Sequence, residues 1–275
     1  MAVYLKGCPL RCAWCHSPES WAPAPELAFV RDRCRLCGAC VAVCARGVHD
    51  VTDSQHRLSR TECTGCGACA EHCPYEALSV KGRVVSADAL VQRAVRLMPF
   101  FRHSDGGVTL TGGEPTTQPD FAEAVLSGCR SEGIHTAIET SGACSWERLE
   151  RLVRHADLVL YDLKLMDDAQ HRKWTGASNE SILANAARLA GPNVQVRVPL
   201  IPDITDTEQN LRSIFAFMAD VGLPSVALLP YNPSTGAKYE WLGLTCPIRG
   251  PQQSPEALAA AVQMARDAGI RASIE

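Results

Sequence analysis

Long apolar runs are missing from this chain: no uninterrupted stretch approaches the ~18 residues that a membrane-spanning helix needs. The first residues also lack the apolar core of a secretory signal. An excess of one charge is missing too. Lysine and arginine number 27 against 30 aspartates and glutamates, a net charge of −3, so neither a nucleic-acid footprint nor a polybasic membrane patch is expected. Low-complexity segments are absent, and 46% hydrophobic with 21% charged residues fits a folded chain rather than a disordered one. The 275 residues suffice for one large domain, or for one domain with a small insert. A soluble, cytoplasmic protein with no nucleic-acid or membrane partner is expected.

Cysteine is what the chain has in quantity. Its 14 cysteines are about 5% of the residues, below the density of a disulfide scaffold. Of these, 11 lie within the first 73 residues, in three tight runs. Cysteines so close in sequence are awkward partners for mutual disulfides but suited to converging on a metal. In a reducing compartment the pattern means metal or cluster ligation.

Composition divides the chain into three parts. Residues 1–28 open a barrel and hold Cys8, Cys12 and Cys15; residues 29–82 hold eight cysteines, many glycines and the internal repeat. Residues 83–275 alternate short apolar strands with amphipathic helices. Strands are predicted at Val108–Thr111, His135–Glu139, Leu158–Leu163, Val194–Pro199, Val226–Leu229 and Arg271–Ile274, with Val3–Leu5 ahead of the first cysteine run. Helices are predicted near 87–98, 119–131, 146–155, 179–190, 207–221 and 255–267. In the last, Ser254 suits the cap and Pro255 the first position, while Gly133, Gly222 and Gly269 each suit a left-handed cap after a helix. Repeated βα units imply a parallel sheet with right-handed crossovers. The fold class is therefore α/β, a partial (β/α)6 TIM-like barrel with an inserted ferredoxin-like dicluster domain, and its chemistry belongs at the carboxyl ends of the strands.

Cys8, Cys12 and Cys15 follow the first strand directly and supply three thiolates. A four-iron cubane wants four ligands, and an open coordination position separates catalytic metal sites from structural ones. The alternative is a zinc knuckle completed by His16. Cys34, Cys37, Cys40 and Cys44 are repeated in register as Cys63, Cys66, Cys69 and Cys73-Pro74. This is the bacterial ferredoxin spacing, in which the fourth cysteine of each run serves the other cluster. One auxiliary 4Fe-4S cluster is thus assigned to Cys34, Cys37, Cys40 and Cys73, the other to Cys63, Cys66, Cys69 and Cys44. Two readings stay open: an electron relay, or clusters that hold the insert together or dock a partner.

The string Cys8-Pro-Leu-Arg-Cys12-Ala-Trp-Cys15-His-Ser-Pro-Glu resembles the radical S-adenosylmethionine (SAM) superfamily. Within it the string is similar to the branch that activates glycyl radical enzymes, of the pyruvate formate-lyase activating type. The resemblance implies three 4Fe-4S clusters and a SAM whose amino and carboxylate groups chelate the open iron. Trp14 then occupies the aromatic position against the adenine, with a plain core tryptophan as the alternative. Gly112-Gly113-Glu114-Pro115 resembles the branch's motif for the SAM amino group; independently, glycines at a strand end admit close backbone approach and Glu114 offers an acceptor. Asp162 and Lys164 share one face of their strand, and the resemblance assigns them to the ribose and the carboxylate. It also makes Glu139 and Asp162 candidates for a monovalent-cation site. Gln195 and Arg197 share a polar face, either as ligand surface or with the arginine paired to an acid.

Residues 229–243 resemble a further conserved segment of the branch, with three departures along the chain. Asn232 stands where a ribose-contacting histidine is usual, Ser17 replaces a common asparagine, and Asp203 a common glycine. Seven residues precede Cys8, whereas the branch carries a longer lead with a Gly-Pro-Gly-Ile-Arg-like stretch. Cys129, Cys144 and Cys246 read as small buried hydrophobes, and His49, His56 and His72 are not needed as ligands beside eight cysteines. Asp167 and Asp168 suit the start of a helix.

The activity implied is reductive cleavage of SAM to methionine and a 5′-deoxyadenosyl radical that takes hydrogen from a glycine of a partner enzyme. The partners implied are that glycyl radical enzyme and a low-potential flavodoxin or ferredoxin. The competing readings are a radical SAM enzyme acting on a small molecule and a ferredoxin-type electron carrier.

Overall fold

The computed structural model describes residues 1–191, 193–248 and 250–275. In chain order its strands are β1 (Ala2–Leu5), β2 (Glu26–Phe29), β3 (His49–Val51), β4 (His56–Leu58), β5 (Leu78–Lys81) and β6 (Gly107–Gly112). They continue as β7 (His135–Thr140), β8 (Leu158–Asp162), β9 (Val194–Leu200), β10 (Ser225–Pro230) and β11 (Arg271–Ile274). Seven of them form one sheet in the order β1-β6-β7-β8-β9-β10-β11, parallel throughout. Among the described residues β1 and β11 are its two edges, so the barrel is incomplete.

Alternation along the strands places the core between sheet and helices. On β9, Val194, Val196, Val198 and Leu200 are buried while Gln195, Arg197 and Pro199 turn to the half-open interior. The buried set packs with Leu211, Ile214, Phe215 and Met218 of the helix Glu208–Val221. Thr207 caps that helix by accepting the Asn210 N–H at 3.3 Å, and Gly222 ends it at φ +79°. The predicted caps at Ser254, Gly133 and Gly269 are also found, the two glycines at φ +70° and +77°.

Several helices depart from the sequence pattern: short ones at Ala39–Val43, Ala68–Glu71 and Gly236–Trp241, and two longer ones. The helix expected over 87–98 stops at Arg96, and another runs over Met98–Ser104, because Pro99 has no N–H to continue the first. A helix at Asp168–Thr175 has no apolar stripe, but its ends are legible. Asp167 accepts the Gln170 N–H at 2.8 Å, and Gly176 closes it at φ +81°.

Asp203 lies at φ +60°, the left-handed conformation that the usual glycine adopts freely. Its N–H donates to Asp206 at 2.8 Å, which holds the turn. Asp203→Ala is expected to be less stable than Asp203→Gly by about 1 kcal/mol, the cost of a Cβ in this region. Thermal melts of the two variants check this; equal melting points would contradict it.

The cysteine-rich insert is closed at its ends by the antiparallel pair β2–β5, and β3–β4 forms a hairpin within it. Arg60 ties it to the barrel, donating to the carbonyls of Leu27 at 2.6 Å and Trp241 at 2.7 Å. Gly65 sits so close to the chain entering the insert that a Cβ would meet the Pro25 carbonyl oxygen at 2.4 Å.

Candidate active site

A cavity of about 500 Å³ opens at the carboxyl ends of the barrel strands. Cys8, Cys12 and Cys15 line it, together with every residue expected at the SAM site: Trp14, Gly112, Gly113, Glu114, Glu139, Asp162, Lys164, Arg197 and Asn232. The positions are far apart in sequence, and the parallel sheet brings them to one rim.

The cysteine loop is hung between neighbours by its backbone. Arg11 and Ala13 donate N–H groups to the carbonyls of Thr175 at 2.7 Å and Trp174 at 2.9 Å. Lys238 grips the far end, reaching the His16 carbonyl at 2.8 Å and Glu19 at 2.9 Å. The segment around Lys238, flagged in the sequence by resemblance alone, thus braces the loop. Burial pushes the Cys8 thiol up to about 11 and the Cys12 thiol to about 12, and raises Cys15 as well. Thiolates so disfavoured need a cation between them to form.

Spacing separates the two metal readings. The ligands of one tetrahedral zinc, each ~2.3 Å from the ion, lie about 4 Å apart. Among the described residues no three of Cys8, Cys12, Cys15 and His16 bring their ligand atoms within 4.8 Å of one another. A cubane does not ask for that closeness, because its cysteines bind separate irons.

Glu114 is the hub of the opposite wall. It is 1% exposed, and its carboxylate accepts from Thr116 N at 3.3 Å, Thr116 Oγ1 at 3.0 Å and Thr140 Oγ1 at 2.7 Å. Ser141 adds its N–H at 2.8 Å and its hydroxyl at 2.7 Å. The glycines before it are needed for packing: a Cβ on Gly112 would meet Leu5 N at 2.6 Å, and one on Gly113 the Gly7 carbonyl oxygen at 2.2 Å. The motif therefore locks the end of β6 against the cysteine loop. Thr140 and Ser141, adjacent to Glu139 in sequence, are functional through Glu114; only the fold reveals this.

The remaining charges are paired. Lys164 meets Asp162 at 2.7 Å, and Arg197 meets Glu139 at 2.7 Å. Burial alone would lower the Lys164 ammonium, but Asp162 holds it above its ordinary value. Arg197 keeps a buried Nε without a partner, a donor aimed for an acceptor not supplied by the protein. Trp14 is both things the sequence allowed: it packs with Leu10, Leu165 and Tyr231, and it lines the cavity. Asn232 is exposed at the rim and accepts the Ser234 N–H at 3.0 Å through Oδ1, which leaves its amide N–H₂ to donate.

In the insert, Cys73 lies with Cys34, Cys37 and Cys40 around one small pocket. Cys69 has Cys63, Cys66 and Cys44 as its charged neighbours. The sulfurs are thus grouped across the repeat, three from one run and one from the other. His49 and His56, set aside in the sequence, are buried beside the first group; His72 is exposed and bonds the Ala68 carbonyl. The apolar residues here are few, chiefly Leu27, Phe29, Ala77 and Leu78. Chelating the iron is therefore expected to open residues 29–82 to protease while 83–275 resists, because so small a core needs its metal. Peptide mapping of the first cuts checks this; first cuts in the barrel would contradict it.

A partial parallel barrel with three free cysteines after its first strand and a glycine-lined charged cavity at its rim defines a radical SAM protein. Residues 63–214 match the Radical SAM superfamily, and 27–74 match the 4Fe-4S dicluster domain. The chain is 39% identical over 255 residues to the isethionate sulfite-lyase activating enzyme of Oleidesulfovibrio alaskensis, covering 90% of this chain and 82% of that one. It is 39% identical over 257 residues to the choline trimethylamine-lyase activating enzyme of the same organism, covering 90% and 83%. A solved domain of the pyruvate-formate lyase-activating enzyme from Bacteroides vulgatus is 31% identical with a TM-score of 0.52, over 62% of this chain and 99% of that one. The chain belongs to the glycyl-radical-enzyme activating enzymes of the radical SAM superfamily. No helix among the described residues is long and apolar enough to cross a membrane.

Proposed function

We propose that the chain activates its glycyl radical enzyme with three 4Fe-4S clusters: one at Cys8, Cys12 and Cys15, and two in the insert. The observation that carries this is the convergence of three cysteines, Cys12 buried and Cys8 and Cys15 half-buried, with Gly113, Lys164 and Arg197 on one cavity. When bound, the site-differentiated cluster supplies an electron that cleaves SAM to methionine and a 5′-deoxyadenosyl radical able to take hydrogen from a glycine of the partner.

The protein's own residues bind and orient. Lys164 attracts the SAM carboxylate, and Asp162 both holds that ammonium and accepts from a ribose hydroxyl. Arg197, anchored by Glu139, donates through its free Nε. Glu114, saturated by five donors, fixes the turn that presents Gly113 to the SAM amino group. Trp14 walls the cavity against water, and Asn232 offers an amide where the branch usually has an imidazole. Glu139 and Asp162, each beside a cation of the protein, remain the candidates for a monovalent-cation site. The insert is read as a domain of residues 29–82 that passes electrons inward from a low-potential flavodoxin or ferredoxin.

The test uses anaerobically reconstituted protein, dithionite and SAM, with and without a glycyl radical enzyme. We expect 5′-deoxyadenosine, and a glycyl-radical doublet in electron paramagnetic resonance only with the partner present. Absence of 5′-deoxyadenosine, or zinc bound at the three cysteines, would overturn the reading.

A further inference from the structure

The two halves of the insert are copies in register. Cys34, Cys37, Cys40 and Cys44 map onto Cys63, Cys66, Cys69 and Cys73 at one constant interval. The same interval maps β2 onto β4 and β3 onto β5, and the pairings agree: Leu27 opposite Val80 becomes His56 opposite Val51, and Phe29 opposite Leu78 becomes Leu58 opposite His49. Valine matches valine and Phe29 matches Leu58. The break in kind is that two leucines of one copy are two histidines in the other. All four are buried, at 3% for Leu27 and 4% for Leu78, His49 and His56.

A histidine buried where its copy needs only leucine calls for a partner. His56 has three. Its Nδ1 lies 3.5 Å from Cys34 Sγ, and its Nε2 lies 2.9 Å from His49 Nδ1 and 3.9 Å from Cys40 Sγ. Phe29 packs on the ring at 4.4 Å between centroids and fixes its plane. A cluster-ligating sulfur can only accept, and Cys34 is the nearer of the two, while Nε2 lies closer to His49 than to Cys40; the proton therefore sits on His56 Nδ1, and Nε2 accepts from His49 Nδ1–H. That leaves His49 Nε2 as a bare lone pair, and it is the one buried ring nitrogen here without a partner.

We infer that His56, held in this tautomer by His49, donates an N–H···S bond to Cys34 and raises the potential of the cluster on Cys34, Cys37, Cys40 and Cys73 above that of its twin. The inference rests on the cluster assignment proposed above. Donation to a ligating sulfur draws off charge and favours the reduced cluster. Leu27 and Leu78 offer the other cluster no such donor. His56 acts on the cluster; His49 is a positioning residue.

The test is a redox titration of reconstituted holoenzyme followed by electron paramagnetic resonance, comparing the parent with His56→Leu, which restores the repeat. At a fixed poise the reduced-to-oxidised ratio of one auxiliary cluster should fall about tenfold, equivalent to about 59 mV for a one-electron couple. The other auxiliary cluster should not move. His49→Leu should give a smaller shift in the same direction, and His56→Asn, which keeps an N–H, should recover part of it. The parent labelled with 15N-histidine should also show coupling of a histidine nitrogen to one reduced auxiliary cluster. Where His56→Leu loses its cluster, that measurement on the parent decides. Unshifted potentials, or no nitrogen coupling, with SAM cleavage intact would overturn the dyad and leave the proposed activity standing. Failure of the parent to cleave SAM would instead overturn that activity.

Discussion

Cys12→Ala is expected to abolish 5′-deoxyadenosine formation while both auxiliary clusters survive. Cys12 is the most deeply set of the three thiols, and burial pushes it to about 12. Removing it leaves two ligands for a group that needs three from the protein. Loss of a residue behind a metal ligand already costs roughly 10–100-fold, and loss of the ligand itself should exceed that. The insert lies outside the cysteine loop, and its sulfurs are grouped among themselves. Iron analysis should therefore show one cluster's share missing, with the auxiliary signals retained. Measurable SAM cleavage in this variant would refute the assignment.

Glu114→Gln is expected to cost about 3 kcal/mol of stability and to weaken SAM binding, although the shape of the side chain barely changes. The carboxylate accepts five donors across its two oxygens. Whichever way an amide turns, its N–H₂ faces the Ser141 N–H or the Thr116 N–H, neither of which can rotate away as a hydroxyl can. One buried backbone donor is then left without an acceptor, and the charge-assisted bonds become ordinary ones. The loop carrying Gly113 loses its anchor on β7. Anaerobic denaturation midpoints and SAM titration measure both effects. A loss under about 1 kcal/mol would show that the hydroxyls reorganise freely.

Alternation of apolar and polar residues made the barrel legible. Strands such as Val194–Leu200 bury one face, and glycine caps punctuate the helices between them. The cysteine spacing likewise indicated the grouping across the repeat. Less legible were β2 and β5, each too short for a period to register. Pairing between side chains was legible only as an alternative. Arg197 does pair with an acid, but that the acid is Glu139 depends on how strands stack across the sheet. The pairing of His49 with His56 leaves no mark in the cysteine spacing, but the repeat carries its sign, two histidines of one copy standing where the other has two leucines.

The place of β1 in the sheet has a consequence for how the molecule is made. Its sheet partner β6 begins at Gly107, beyond the whole insert, and the loop after it also leans on Trp174 and Thr175. On a ribosome that emits the chain from its amino end, the first cysteines to appear are thus the last to find their scaffold. All eight sulfurs of the insert have emerged by Cys73. The eight sulfurs of the insert are therefore all exposed to the cell before the first three cysteines find their neighbours, which happens only after the barrel is more than half translated.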